Sequence, residues 1–369
     1  LAVVLQAGLP VMDPEAVQFH PTGIVGPGIL ASETLRSVGG ILKNVNMEPF
    51  MERYAPKMKD LAPRDLVARA IVTEIREGRG VLNPEHNIMH IWIDLRHLPE
   101  YVHDVQIPEV MSFFRKFLNI DSKKDLCPVC PSNHYHMGGV PTNELGEVQK
   151  NHDEIVPGLF AVGECGAASF HGFNRLGTNS LLELITMGKF AGEKIMEYLG
   201  EGLEELPAGA GEKTFSQFSG FLEASGQDNL GGIRETMQTT MTENVGVFRT
   251  EQGLSEAIEA LNELKERSKK VSLSCKSLNM NQELIQRWEL DNLLMVSMVI
   301  AQGALNRKES RGGHYREDFP ERRDDFNYHT LAYMTELGEV ILGKRRIDMS
   351  IYEAKGEHFE RFGMIERKY

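Results

Sequence analysis

Apolar residues recur at helical and strand spacing in different parts of the chain, and those periods mark out its elements. Over Asp65–Glu77, Leu66, Val67, Ala70, Ile71 and Ile75 fall on one helical face, and Gly78 follows as a stop. Leu159–Gly163 is a short apolar run of the kind a buried strand shows, and a long helix is expected from about Asn179 to Leu199. Residues 201–214 are polar and rich in glycine and read as a linker. Beyond it, Leu254, Ala257, Ile258, Leu261 and Leu264 repeat at helical spacing. Leu284, Ile285, Trp288 and the stretch 293–305 do the same, which predicts a helical bundle. The chain ends in alternating segments such as Met349–Tyr352. Leu293–Ala301, the longest strongly apolar run, contains Ser297 and falls well short of the roughly twenty residues of a membrane span.

A length of 369 residues allows two or three domains, and 41% hydrophobic with 25% charged residues is ordinary globular composition. The net charge of −13 argues against a nucleic-acid binder. It leaves room for a small anionic substrate, because a few local arginines dominate a buried site. Four cysteines are too few for a disulfide scaffold and suggest a reducing compartment. Cys127 and Cys130 form a Cys-x-x-Cys without a second ligand pair at zinc spacing. They read as two packed core cysteines, with redox or metal chemistry as the alternative. Leu1–Gly8 reads as the middle of a structured element with no signal-peptide pattern, so the chain is expected to begin in mid-domain.

Candidate chemistry lies in a few short strings. In Val156–Gly192 the strand ends at Gly163-Glu164, where an acidic residue suits a nucleotide ribose. Glycines 166, 172 and 177 permit close backbone approach, and Asn179-Ser180 is expected to cap a helix whose amides favour partial negative charge. A plain capped helix after a small-residue loop explains the same pattern. Elsewhere stand QFHPTG from Gln18, Ser32-Glu33 with Arg36, Arg64 just before the first amphipathic helix, His134-Tyr135-His136-Met137-Gly138-Gly139 and Asn174-Arg175. Glu33 and Arg36, three apart, are spaced to pair, as a surface ion pair would.

Together these strings, from QFHPTG to ESRGGHYREDFPERRDD at Glu309, resemble the flavoprotein subunits of succinate dehydrogenase and fumarate reductase, over the C-terminal two thirds of such a subunit. The resemblance implies an α/β plus α fold: the C-terminal part of a Rossmann-like FAD-binding domain, an inserted α+β capping domain, a helical bundle and a small C-terminal domain. The implied boundaries are 1–18 and 133–205 for the FAD-binding parts, 19–132 for the cap, 206–311 for the helices and 312–369 for the last domain. It implies FAD held by Glu164, Asn179, Ser180 and Leu181. No GxGxxG occurs, so the rest of that site is expected upstream of Leu1, and covalent flavin attachment falls on no residue of this numbering.

The resemblance further implies that His20, Ser32, His134 and Arg175 bind the dicarboxylate. Arg64 would give or take the proton that accompanies hydride transfer at flavin N5, resupplied through Glu33 and Arg36. Where the family usually has threonine and Arg-Gly-Glu-Gly, this chain has Ser32 and Arg36-Ser37-Val38-Gly39. Serine keeps the hydroxyl; Val38 removes an acidic group. Implied partners are an iron–sulfur subunit and a membrane quinone-reactive anchor, with the chain peripheral on the cytoplasmic face of the inner membrane. L-aspartate oxidase and a non-catalytic truncated remnant are the alternatives. Cys127 and Cys130 are predicted to bind no metal. Elemental analysis of the purified chain checks this, and near-stoichiometric zinc or iron would overturn it.

Overall fold

The computed structural model describes residues 1–347 except His152, Glu201, Leu203 and Glu204; the alternating segment at Met349–Tyr352 lies outside the described residues. These residues form two compact units, one from Val17–Tyr135 and one from Leu1–Ala16 together with His136–Ile347.

The Val17–Tyr135 unit is built on a sheet in the order Val17–Ile24, Cys127–His136, Ile88–Asp94, Ile41–Lys43, with Val81–Asn83 also paired to Ile88–Asp94. The register sets Ile91 opposite Val129 and Leu42 opposite Ile93. All four side chains join a core with Leu35, Phe50, Phe114 and the helix Arg64–Glu74. That helix buries Val67, Ala68, Ala70 and Ile71, as its apolar stripe predicts, each large side chain contributing about 1.5–3 kcal/mol. Leu66 and Ile75 are only partly buried. The α-helix stops at Glu74 and continues as one π turn through Arg79, within which Gly78 takes a φ of 77°. This turn brings Arg79 Nε to 2.7 Å from Glu74 Oε2. Burial raises the Glu74 carboxyl, but bonds from Arg79, Asn44 and Tyr54 and the charge of Arg53 outweigh it and bring it down to about 2.

In the other unit, Val11–Met12 pairs with Tyr328–Met334, which pairs in turn with Val340–Arg346. Residues 312–347 therefore share a unit with the chain start. Helices Glu212–Glu223, Leu230–Asn244, Glu251–Ser268 and Gln282–Asn306 make the expected bundle. The last three begin at side-chain caps, from Asn229, Thr250 and Asn281. Leu254, Ala257, Leu261 and Leu264 are buried as their spacing predicts. Ile285 instead faces solvent at 41% exposure, and Arg287 takes the inward position, over the Phe221 ring and paired with Asp291. The run at Leu159 also differs from expectation. Among the described residues, strand Ile155–Phe160 pairs with Glu147–Gln149 alone, and Leu159 is 37% exposed.

Glu309, Ser310, His314 and Arg316 of the ESRGGHYREDFPERRDD string join Arg307 and Arg249 in a buried polar core, while Arg322, Arg323, Asp324 and Asp325 are exposed. Arg307 Nε donates to Glu15 Oε1 at 2.6 Å, its Nη1 to Glu309 Oε1 at 3.0 Å and its Nη2 to Tyr328 O at 2.9 Å. Arg316 Nη1 donates to the Ala304 and Leu305 carbonyls, which closes the C-terminal end of the Gln282 helix. Arg249 Nη1 donates to His314 Nδ1 at 2.7 Å. The ring proton of neutral His314 then sits on Nε2, which donates to Arg307 O at 3.0 Å. Full burial, with the Arg249 charge adding to it, holds His314 well below the ordinary histidine range.

A pH dependence follows from this. Below about pH 6.5 the unfolded chain protonates this histidine while the folded one does not. Stability therefore falls as pH drops through that region, by up to about 1.4 kcal/mol per pH unit for one such group. Burial shifts His90 and His136 the same way, and the lowered carboxyls of Glu74 and Asp94 act only at lower pH. Urea midpoints should fall between pH 7.5 and 5.5, and fall less in His314→Gln.

Candidate functional site

Within the Val17–Tyr135 unit, five of the sequence candidates fall into two contact groups. The first is centred on Arg64, the opening residue of the Arg64–Glu74 helix, with Pro63 at the cap position. Its guanidinium is 9% exposed. Nη1 donates to Gln18 Oε1 at 3.0 Å, and Nη2 and Nε donate to Glu33 Oε2 at 2.9 and 3.3 Å. The other oxygen of Glu33 accepts from Arg36 Nη2 at 2.8 Å. Arg36 is itself buried and donates through Nη1 to the carbonyls of Asp60 and Ala62, at 2.5 and 3.1 Å. Glu33 and Arg36 thus form no mere surface pair: one carboxylate links two guanidiniums. Burial alone would raise the Glu33 carboxyl, but the charges and hydrogen bonds of Arg64 and Arg36 outweigh it and hold it below the usual range. Burial lowers Arg36, reinforced by nearby Arg64 and opposed by Glu33.

The second group pairs His20 and His134, whose rings meet edge-on with centroids 5.1 Å apart. His20 is fully buried and His134 half-buried. Gln18, His20 and Thr22 alternate along the strand Val17–Ile24 and so share one face. Thr22 Oγ1 donates to Ala31 O at 2.6 Å and lies 3.2 Å from His20 Nδ1, which fixes the ring against the next segment. Ser32 Oγ is 2.9 Å from Thr34 Oγ1 and accepts from Thr34 N at 3.2 Å.

The sequence reading missed two residues. Gln18 fixes Arg64 across a separation of 46 residues, and its only signal was its place at the head of QFHPTG. Asp60 Oδ1 accepts from Leu42 N at 2.9 Å, which ties the turn that receives Arg36 to the sheet. No sequence signal marked it.

The remaining candidates lie in the other unit. Arg175 is 8% exposed, in the loop that follows the Gly166–Ala167 strand. Phe173 O, two residues before it, accepts from Gly313 N at 2.7 Å. Gly312 adopts a φ of +54°, and a Cβ there would stand 2.3 Å from Phe173 O, so only glycine lets these backbones meet. The long helix starts at Asn179 rather than after it, which makes Asn179 and Ser180 its first two residues instead of its caps. The N–H groups of a helix's opening residues have no partner within the helix. Glu164 is exposed in a short 3₁₀ turn, and one of its oxygens accepts from His136 N at 3.2 Å. Gly163 before it has a φ of +71°, and a Cβ there would meet Leu184 Cδ2 at 2.4 Å. An exposed carboxylate near a glycine close approach, together with the start of a long helix, suits the ribose hydroxyls and polar ring edge of a flavin nucleotide.

Two further observations bear on chemistry and location. Burial pushes the thiols of Cys127 and Cys130 up to about 12 and about 11, far from reactive thiolate. Among the described residues, no helix is long and apolar enough to cross a membrane.

Comparison with known proteins places the chain in a family. A family model described as FAD binding domain matches residues 1–181, and one described as fumarate reductase flavoprotein C-term matches residues 234–369. The succinate dehydrogenase flavoprotein subunit of Rickettsia bellii is 43% identical over 356 residues, covering 94% of this chain and 59% of that protein. The fumarate reductase flavoprotein subunit of Escherichia coli is 36% identical, covering 90% of this chain and 57% of that protein. A solved E. coli quinol fumarate reductase superposes with a TM-score of 0.88 at 34% identity, over 94% of this chain and 61% of that one. This chain thus spans less than two thirds of the length of these relatives. On the two matched regions and these likenesses, the chain belongs to the family of succinate dehydrogenase and fumarate reductase flavoprotein subunits.

Proposed function

We propose that this chain carries the dicarboxylate chemistry of an FAD-dependent enzyme that interconverts fumarate and succinate. One observation carries the reading. Arg64 is buried at a helix start, held by Gln18 and Glu33, and Glu33 is in turn bonded to Arg36. A guanidinium so placed is a fixed, charged proton source rather than a solvated side chain. The names of the relatives support the substrate class.

Fumarate is a flat dianion and needs donors at both ends. His134 and Arg175 grip one carboxylate, Arg175 with the bidentate geometry that a guanidinium allows. His20 and the Ser32 hydroxyl take the other. Clamping both ends orients the substrate and neutralises its charge. Glu164 holds the ribose of FAD, and Asn179, Ser180 and Leu181 hold its ring system; the bound flavin supplies the two-electron chemistry. Arg64 delivers a proton to the alkene carbon in reduction and removes it in oxidation. Arginine grips its proton tightly, so this step needs the strongly basic carbon that develops on the substrate. Glu33 and Arg36 restore the proton along the bonded path. Val38 stands where the family has a second acidic residue, so the path here rests on Glu33.

An iron–sulfur subunit and a membrane quinone-reactive anchor would complete the electron path, with this chain peripheral to the membrane on its cytoplasmic face. Solved relatives that are quinol fumarate reductases, one of them with menaquinol bound, support an electron path of this kind.

In flavin-loaded protein, Arg64→Gln should lower kcat for fumarate reduction by about 10²–10⁴-fold with little rise in KM. Flavin content should stay unchanged. Arg175→Gln should raise KM as well as lower kcat. The assay is steady-state fumarate reduction with reduced viologen. An Arg64→Gln enzyme that kept more than about a tenth of wild-type kcat would remove Arg64 from the mechanism.

A further inference from the structure

Three residues far apart in sequence form a hydrogen-bonded chain that none of the chemistry above uses. Ser169 Oγ lies 2.8 Å from His329 Nε2, and His329 Nδ1 lies 2.5 Å from Asp13 Oδ2. Asp13 Oδ1 accepts from Thr330 N at 2.9 Å, and Asp13 N donates to Thr330 O at 2.8 Å. The carboxylate and the imidazole are both buried, and Ser169 is exposed. A carboxylate accepts, so Nδ1 carries the ring proton; in the neutral ring, Nε2 then accepts from the serine hydroxyl. The order of groups is that of an acyl-transfer triad. Asp13 and His329 sit on or beside the paired strands Val11–Met12 and Tyr328–Met334. Ser169 belongs to the loop that carries Arg175.

The backbone at Ser169 gives a second, independent observation. Its φ is 65°, a left-handed conformation that costs a non-glycine residue free energy. Such a conformation persists where the surroundings hold it. The hydroxyl bond to His329 is the hold, and it comes two residues after the loop leaves Ala167, whose carbonyl accepts from Thr142 N at 3.3 Å. The next anchor is Phe173, through Gly313 N and the Arg307 guanidinium, which lies 4.7 Å from the Phe173 ring centroid. Arg175 follows two residues later. The loop is therefore pinned at Ala167, Ser169 and Phe173 before it reaches the arginine.

We propose that Ser169, through His329 and Asp13, is a positioning residue that sets the Arg175 loop for dicarboxylate binding. Its influence on substrate rests on the role given to Arg175 above; the anchoring itself does not. The experiment separates the two. Trypsin cuts after Arg175 only when the loop opens, so the nicking rate at Arg175–Leu176 reports the population of the open loop. In the full chain, Ser169→Ala should speed that cut by about five- to ten-fold, the loss of one hydrogen bond. Ser169→Gly, which relieves the backbone strain but also lacks the hydroxyl, should speed it too. Cleavage at exposed Lys269–Lys270 serves as the internal control and should not change, and neither should the melting temperature.

In flavin-loaded enzyme, KM for the dicarboxylate should rise by a similar factor while kcat stays within about two-fold of wild type, as expected when only binding is lost. Unchanged nicking at Arg175 in both variants would overturn the anchor. Faster nicking matched by an equal fall in global stability would overturn it as well, since the effect would not be local. Faster nicking with an unchanged KM would uphold the anchor and instead remove Arg175 from substrate binding.

Discussion

One carboxylate meeting two buried guanidiniums is the interaction on which the proposed chemistry rests. Taking an arginine out of water is costly unless a partner satisfies its charge and its N–H groups. Glu33 does this for Arg64 with one oxygen and for Arg36 with the other. Its neighbours divide the remaining donors: Gln18 takes Arg64 Nη1, and the Asp60 and Ala62 carbonyls take Arg36 Nη1. Removing Glu33 would leave two buried cations facing each other. In the proposed reaction the same bonds would serve as a path for a proton, because each bonded neighbour is a donor or an acceptor for the next.

The second unit solves a related problem by different means. Arg307, Arg249 and Arg316 are all fully or almost fully buried, and they are met by Glu15, Glu309, Asp318 and backbone carbonyls. This lattice joins the turn at Asp13–Glu15 to the strand at Tyr328 and to the segment that supports Phe173. It serves as scaffold: Arg307, just ahead of the ESRGGHYREDFPERRDD string, packs over the Phe173 ring, and Gly313 within the string bonds Phe173 O in the loop that leads to Arg175. A short motif rich in charge can thus be the rigid part of a protein, provided each charge is met.

Much of this was legible in the sequence where local pattern decides the outcome. The Arg64 helix follows from apolar spacing at Val67, Ala70 and Ile71, and the bundle helices follow from Leu254, Leu261 and Leu264. The candidate site was legible as motifs: Glu33 and Arg36 pair as their spacing allowed, and Arg64, placed with them by resemblance, bonds Glu33 across 31 residues. What escaped depends on contacts between distant segments. Gln18 has no local signature, because its role is set by a helix 46 residues away. The Ser169–His329–Asp13 chain joins positions separated by up to 316 residues, and no periodicity announces it. Burial was misread in the run at Leu159, which stays 37% exposed. An apolar pattern states a preference for cover, and it does not say what provides it.

The central claim is that Glu33 keeps Arg64 supplied with protons. Glu33→Gln tests it most directly, because glutamine keeps the shape and one accepting oxygen while removing the charge and the titrating group. In flavin-loaded enzyme, kcat for fumarate reduction with reduced viologen should fall by at least about ten-fold, within the range of lost acid–base catalysis. KM and flavin content should stay near wild type. A Glu33→Gln enzyme with wild-type kcat would contradict the account, and Arg64 would then have to draw its proton by another route.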